Sequence, residues 1–456
     1  MSELIVSKFG GSSVATATQI KKVREIVADN PNRRIVVVSA PGRSQASEQK
    51  ITDHLFNIAT DGAHFHEQRI NIPVVDSKRA VVERFRQILA DLELSDDTLL
   101  DSLRADLECK LTGERRIAFL ASRGEHYNAR VIAAHFSQSG MAAEACLPED
   151  FGFVVSEQFL DAKLLNDAYG NVQRLAETTC SECIAVIPGF YGITPAGEVA
   201  VFSRGGSDLT GGEIAKGVDA ASYENWTDVS GVFEADPRIV SEARAIPRLT
   251  FKEIRLLSSK GFNVFHLNAM LPCKERKIPI NIRNTNSPQD PGTVILSERV
   301  PEEEAIVGVA RLDNVAYIYL EKDMLGEEIG FTAELLGILR DFNIQTFHFP
   351  TDKDDIAVLV NQDDLTGAIN DLRRQIEAKL KPDEMDVVYN LSILTPVGLG
   401  LQGNSYPIVD ALSALGKAHI PIAMIDQSPS QICFHIGVQQ SVADDALKIL
   451  YRTLIG

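Results

Sequence analysis

Val199-Ala200-Val201-Phe202-Ser203-Arg204-Gly205-Gly206-Ser207-Asp208-Leu209-Thr210-Gly211-Gly212 decides how the rest of the chain is read. A short apolar run, expected as a strand, breaks at two glycines, and a helical segment is expected from Glu213 to Ala221. A strand that ends in Gly-Gly and feeds a helix exposes backbone N–H groups at the positive end of that helix, which suits phosphates and carboxylates. Arg204 adds a forked donor for such groups, and Asp208 a lone acid beside the same turn. A plain turn with a solvated arginine and a helix capped by Ser207 or Asp208 is the other reading.

The same alternation runs upstream. Leu4 to Phe9 is a short apolar strand, followed by Gly10-Gly11-Ser12-Ser13 and a helical pattern through Ile20, Val23 and Val27. Ile35 to Ser39 reads as a buried parallel strand that ends in Ala40-Pro41-Gly42 and a polar loop, Arg43 to Lys50. Ile117 to Ala121 is expected as another strand, leading into Ser122-Arg123-Gly124-Glu125 and a helix from Tyr127 to Phe136. Ile184 to Ile187 ends in Pro188-Gly189. Strands alternating with helices predict an α/β sandwich with a mainly parallel sheet, whose ligands sit beyond the carboxyl ends of the strands.

The 456 residues suffice for about three domains, and 45 basic against 63 acidic residues give a net charge of −18. That balance disfavours nucleic acid or an anionic membrane as a partner, so any anionic ligand must be held by local groups. The N-terminus enters Leu4-Ile5-Val6-Ser7 without a basic, then apolar, leader, and no window approaches the roughly 18 apolar residues of a membrane span. A cytoplasmic protein is expected. Six scattered cysteines, with Cys180-Ser181-Glu182-Cys183 as a lone C-x-x-C, predict free thiols and no metal site.

Asn286 to Gly292 reads as a linker, followed by the acidic patch Glu302-Glu303-Glu304. Beyond it lies an internal repeat: displaced by 76 residues, Leu336 falls on Leu412, Leu339 on Leu415, Ile344 on Ile420, and Ile356–Val360 on Ile432–Ile436. Each copy reads strand, amphipathic helix, strand, strand, helix, with Phe331, Leu335, Ile338, Leu339 and Phe342 on one helix face. Two βαββαβ units are expected, at 305–390 and 391–456, after a first domain at 1–292. The second copy lacks a closing strand, which the spare strand 306–310 can supply, so the two units are predicted to be interlocked, one inserted in the other, and not strung in tandem.

Three loops bear chemistry alongside the opening stretch. Lys8 ends the first strand before Gly10-Gly11, where a cation can grip a transferring phosphoryl group or simply reach solvent. The S-x-x-E spacing of Ser122 and Glu125 matches a helix capping box, or else offers a carboxylate to a substrate ammonium group. Trp226-Thr227-Asp228-Val229-Ser230-Gly231 with Asp236-Pro237-Arg238 is either a surface turn or a nucleotide-positioning segment. G-x-x-x-x-G-K-[ST], H-R-D and D-F-G signatures are absent.

Taken in order, Lys8–Val14, Val36–Gly42, Gly124-Glu125, Gly189-Phe190, Arg204–Asp208, Trp226–Gly231 and Asp236–Arg238 resemble the aspartate kinases of the amino-acid kinase superfamily, and the repeat resembles their paired ACT units. The resemblance implies ATP plus L-aspartate giving 4-phospho-L-aspartate and ADP, the first step towards lysine, threonine and methionine. It implies catalytic roles for Lys8 and Asp208 and substrate contacts from Thr52, Glu125 and Arg204. ATP would be held by Lys8, Gly10, Gly11, Ser12, Thr227, Asp228, Phe233, Arg238 and Asn263, with Mg2+ riding on its phosphates. Phe233 stands where the family often has tyrosine, Asn263 where a lysine is common, and Gly211-Gly212 where two alanines are. An effector amino acid, lysine or threonine, is implied at Met324, Leu325, Gly330, Phe331, Thr332 and Thr351 between ACT units of a homodimer or higher homo-oligomer. Phe347, where lysine-sensitive members carry an acid, speaks against lysine. A kinase for glutamate or N-acetylglutamate and a non-catalytic amino-acid sensor are the alternatives, opposed by the repeat and by the intact Lys8, Arg204 and Asp208.

Overall fold

The computed structural model describes residues 4–45, 47–63, 71–203, 205–258, 267–300 and 305–456. Arg204, Asn263 and the acidic run Glu302–Glu304 lie outside the described residues. Contacts divide the chain into two compact units: Met1–Val232, Pro247–Phe251 and Asn263–Arg299 in one, Phe233–Ile246, Lys252–Phe262 and Val300–Gly456 in the other.

The first unit carries β1 (Ile5–Phe9), β2 (Ile35–Val38), β3 (Ala143–Ala145), β4 (Ile184–Pro188), the hairpin β5 and β6 (Tyr191–Ile193, Val199–Val201), β7 (Ser222–Thr227), β8 (Arg248–Thr250), β9 (Ile280–Asn284) and β10 (Thr293–Leu296). Eight strands form one sheet in the order β3-β4-β2-β1-β7-β9-β10-β8, parallel except where β9 meets β10. Ile35-Val36-Val37-Val38 is wholly buried, as a central parallel strand covered on both faces must be. The Asn286–Gly292 run is therefore not a linker. It closes the β9–β10 hairpin inside the sheet.

The helices of this unit include α1 (Ala17–Ala28), α2 (Ile51–Ala59), α3 (Val74–Asp91), α4 (Asp97–Leu107), α5 (Gly113–Gln138), α6 (Pro148–Phe151), α7 (Asp167–Glu182) and α8 (Gly206–Gly217). The expected strand Ile117–Ala121 is instead part of α5, a helix of 26 residues. This helix is buried along nearly all of Ala118–Phe136, and a helix covered all round shows the same unbroken apolar run as a buried strand. The capping box disappears with it. Ser122 Oγ donates to the Phe119 carbonyl one turn back, so the residue lies inside the helix.

The helix after the opening stretch also starts earlier than expected, at Gly206 and not Glu213. Glycine inside a helix costs about 1 kcal/mol relative to alanine, so two in succession call for a compensating contact. Packing explains them. A Cβ at Gly211 would lie 2.7 Å from the Tyr223 ring, and one at Gly212 2.7 Å from the Ala269 carbonyl oxygen. The two glycines let α8 lie directly on β7 and the 267–270 turn.

In the second unit, β11 (Gly308–Glu321), β12 (Thr346–His348), β13 (Asp355–Asn361), β14 (Glu384–Val397), β15 (Ile422–Gln427) and β16 (Phe434–Gln439) form one sheet, β12-β13-β11-β14-β16-β15. The long strands β11 and β14 are antiparallel along their length, so Gly308–Leu312 pairs with Ile393–Val397 of the second copy. Asn314 and Asn390, equivalent in the repeat, both adopt left-handed backbone, φ 61° and 59°. The β11–β14 register shifts beside Asn314. Asparagine tolerates that conformation better than other residues with a side chain, and beyond it β11 keeps β14 and gains β13 as a second partner. The helices Phe331–Asp341 and Ile369–Leu380 cover the first half, Tyr406–Lys417 and Ala443–Leu454 the second. His348 on edge strand β12 meets the Asp426 carboxylate on the opposite edge strand β15. The sheet thus curls, enclosing Val315, Leu359, Leu391, Ile393 and Met424.

None of the six cysteines is in a disulfide. Burial pushes Cys180 of the C-x-x-C up to about 12. Among the described residues, no helix is long and apolar enough to cross a membrane, and no cluster of His, Cys, Asp and Glu could hold a metal ion.

Candidate active site

A cavity of about 690 Å³ opens in the first unit beyond the carboxyl ends of β1, β2 and β7. Gly11 and Ser12 follow β1, Ser39 to Gln45 follow β2, and Asp228 follows β7. Lys50 and Thr52 bring the N-terminus of α2, and Gly205 to Asp208 that of α8. Gly205 has φ 76°, a left-handed conformation that lets the chain turn from the loop straight into α8. Two helix N-termini thus face one cavity and favour anions there.

Lys8 rises from β1 into the cavity floor with 7% of its surface exposed. Its Nζ is ion-paired with Asp208 Oδ1 in the first turn of α8. The same oxygen accepts from Asn225 Nδ2 at 2.9 Å, and the Tyr223 hydroxyl donates to the Asp208 carbonyl at 3.2 Å. Gly10 is tied down where its N–H donates to the Trp226 carbonyl at 3.0 Å, and Gly42 where its N–H donates to the Gly11 carbonyl at 2.9 Å. Both loops are therefore fixed to the sheet.

Glu125 projects from α5 into the same cavity and is 5% exposed. Its Oε2 is buried without a hydrogen-bond partner. Burial pushes the carboxyl up to about 8, against the pull of the Ala40 and Glu125 backbone N–H groups and the Lys8 charge. A buried carboxylate with an open valence fits a ligand that brings its own cation.

Of the residues singled out in the sequence, the cavity brings together Lys8, Gly11, Ser12, Thr52, Glu125, Asp208 and Asp228. Gly10 and Thr227 are their immediate neighbours, and Thr227 Oγ1 donates to Asp228 at 3.2 Å. Phe233 and Arg238 belong to the second unit, where Arg238 is exposed and paired with Asp236. Of the effector candidates, Leu325 and Phe331 are buried core residues, whereas Met324, Gly330 and Thr351 are exposed and Thr332 is half-buried. Missed in the sequence were the cavity residues Arg43, Ser44 and Lys50, and Asn225 beneath it. For Asn225 a signal existed: Glu224-Asn225 puts two polar residues in the middle of a central strand, where apolar side chains are the rule.

A profile of the amino acid kinase family matches residues 3–284. Aspartokinase 3 of Bacillus subtilis is 35% identical over 98% of this chain and 98% of its own length. The chain belongs to the aspartate kinases of the amino acid kinase family. The crystal structure of Clostridium acetobutylicum aspartate kinase superposes on the kinase with a TM-score of 0.87 at 33% identity, over 99% of this chain and all of that one. E. coli aspartokinase III, solved with lysine and aspartate, shares the fold with a TM-score of 0.79 at 23% identity, over the whole of both chains.

Proposed function

We propose that the kinase transfers the γ-phosphoryl group of ATP to the side-chain carboxylate of L-aspartate, giving 4-phospho-L-aspartate and ADP. A carboxylate oxygen of aspartate attacks the γ-phosphorus, one O–P bond forms, and the bond to the β,γ-bridging oxygen breaks as ADP leaves. No base is required, because the attacking carboxylate is already ionised at neutral pH.

The observation that carries this reading is the presence in one cavity of buried Lys8 and buried Glu125, whose Oε2 has no hydrogen-bond partner. Two anionic reactants must approach each other there. At about 4 Å and an effective dielectric near 20, each like-charge pair costs roughly 4 kcal/mol. Lys8, the N–H groups of Gly10, Gly11 and Ser12 and the N-terminus of α8 offset that cost at the phosphates, with Asp208 holding Lys8. Glu125 receives the aspartate ammonium group, Arg204 its α-carboxylate, and Thr52 a further polar group. Thr227, Asp228 and Asn263 take the nucleotide, whose phosphates carry Mg2+. The E. coli enzyme solved with aspartate and ADP shares this fold, which supports the choice of substrates.

The pathway reading is the step that leads towards lysine, threonine and methionine in the cytoplasm. Lysine or threonine would bind at Met324–Thr332 and Thr351 between ACT units of a homodimer, and the lysine in the E. coli structure supports an amino-acid effector. The deciding experiment incubates the purified chain with ATP, Mg2+ and aspartate, glutamate or N-acetylglutamate, and traps acyl phosphate with hydroxylamine. Aspartyl hydroxamate formed in step with ADP is expected. No product from aspartate would sink the reading. Titrating lysine and threonine into the same assay identifies the effector.

A further inference from the structure

We propose that Asn225 is a positioning residue of the phosphoryl-transfer site, holding the Asp208 carboxylate so that Lys8 is aimed at the phosphates. This rests on the reading of the cavity given above. Lys8 and Asn225 are direct cross-strand partners on β1 and β7, so their side chains leave the same face of the sheet side by side. Asn225 is 4% exposed, and its amide donates to the very oxygen of Asp208 that Lys8 engages. Two residues earlier on the same face of β7, Tyr223 holds the Asp208 main-chain carbonyl. The strand therefore grips Asp208 twice, once by its backbone and once by its carboxylate.

Charge explains why the second grip is an amide. A second cation there would compete with Lys8 for Asp208 and neutralise it. A carboxylate would add a second negative charge and draw Lys8 down from the phosphates. A neutral donor fixes the acid without changing the balance. Lysine has four rotatable bonds, and a reacting group misplaced by about 1 Å can lose on the order of 100-fold in rate. Anchoring its partner places the ammonium beside the Gly10 turn, where Nζ lies 3.5 Å from the position of a Gly10 Cβ.

The test compares Asn225→Leu, which keeps the volume and removes the donor, with Asn225→Asp, which keeps the shape and replaces donor by acceptor. With aspartate and MgATP saturating at pH 8, Asn225→Leu should lower kcat about 10- to 100-fold, with KM for aspartate within about twofold. Asn225→Asp should lower kcat further. Relative to the wild type at each pH, Asn225→Asp should recover as pH falls from 8 to 6, because the introduced carboxyl group then shares a proton with Asp208 and donates as the amide does. A purely structural residue would lower thermal stability and give no such pH-dependent rescue. A kcat for Asn225→Leu within twofold of wild type, or no relative recovery of Asn225→Asp at low pH, overturns the proposal. If Asn225→Leu does not fold, as judged by circular dichroism, the pH rescue of Asn225→Asp decides alone. A wild-type chain that makes no aspartyl phosphate refutes the site reading and this proposal together. An active wild type with indifferent Asn225 variants refutes only the latter.

Discussion

Strands β1 and β7 carry two charged clusters on their opposite faces, built from adjacent residues. Ser7 pairs in register with Glu224, and Lys8 with Asn225. On one face, Glu224 accepts from Ser7 Oγ at 2.9 Å, from Arg33 at 2.8 and 3.0 Å and from the Trp226 indole at 2.9 Å. Arg33 and Arg283 lie over the Trp226 ring at 5.3 and 4.5 Å, and the Arg33–Glu224 pair is almost wholly buried. On the other face, Lys8, Asp208 and Asn225 meet at the floor of an open cavity, and nearby Glu125 retains a buried oxygen without a partner. Buried charge alone therefore does not mark a reaction centre. In the first cluster the Glu224 carboxylate is filled by Ser7, Arg33 and Trp226, whereas beside the second Glu125 keeps a carboxyl oxygen open to a ligand.

Four substitutions test this contrast. Lys8→Ala should reduce kcat about 10²- to 10³-fold while the protein stays folded, the typical cost of removing one preorganised donor to a developing anion. A loss under tenfold would mean that Lys8 does not face the transferring group. Arg33→Met should do the reverse: it strips buried Glu224 of its two-bond partner and leaves Arg283, 3.6 Å away, as the remaining counter-charge, which costs up to about 3–5 kcal/mol of stability in urea denaturation. Its kcat at 20 °C, measured on the folded fraction, should stay near wild type, and a large loss of turnover in fully folded protein would erase the distinction between the two faces.

Glu125→Gln should raise KM for aspartate about 10- to 100-fold, with kcat much less affected. Its effect on stability has a definite sign. The native carboxyl titrates near 8, above the ordinary 4.5, so between those values the folded chain holds a proton that the unfolded chain has lost. This group's contribution to stability therefore falls as pH rises from about 4.5 to 8 and is level above. The advantage of Glu125→Gln over wild type should grow across that window in thermal melts, and a pH-independent difference would contradict the burial argument. For the wild type, affinity for aspartate should rise towards pH 8 as Glu125 ionises. The smallest effect is expected at Gly211→Ala, where overpacking against Tyr223 should cost about 1–3 kcal/mol although alanine is the better helix former. A stabilised variant would show that α8 can move off β7.

Much of the site was legible because its parts are local. Lys8 before Gly10-Gly11, the Gly205-Gly206 break and Asp208 are each a turn chemistry written in consecutive residues. The repeat was legible too, since equal spacing of apolar positions needs no partner to be seen. Glu125 was read either as part of a capping box or as a strand-end carboxylate, and its location inside a buried helix emerged only from the fold.

The sequence by itself determined the alternation of strands and helices, the positions of the glycine turns that line the cavity and the duplication of the tail. Those follow from backbone preference and hydrophobic period, which act over a few residues. Only the tertiary structure decided that Ile117–Ala121 is helix, because burial on all sides removes the periodicity that separates helix from strand. It also explained Gly211 and Gly212, which answer to Tyr223 and Ala269 across the fold. And it set Asn225 against Asp208, a contact between residues 17 apart in the chain that depends on the parallel register of β1 and β7. No local pattern encodes that register, and the aim of Lys8 depends on it.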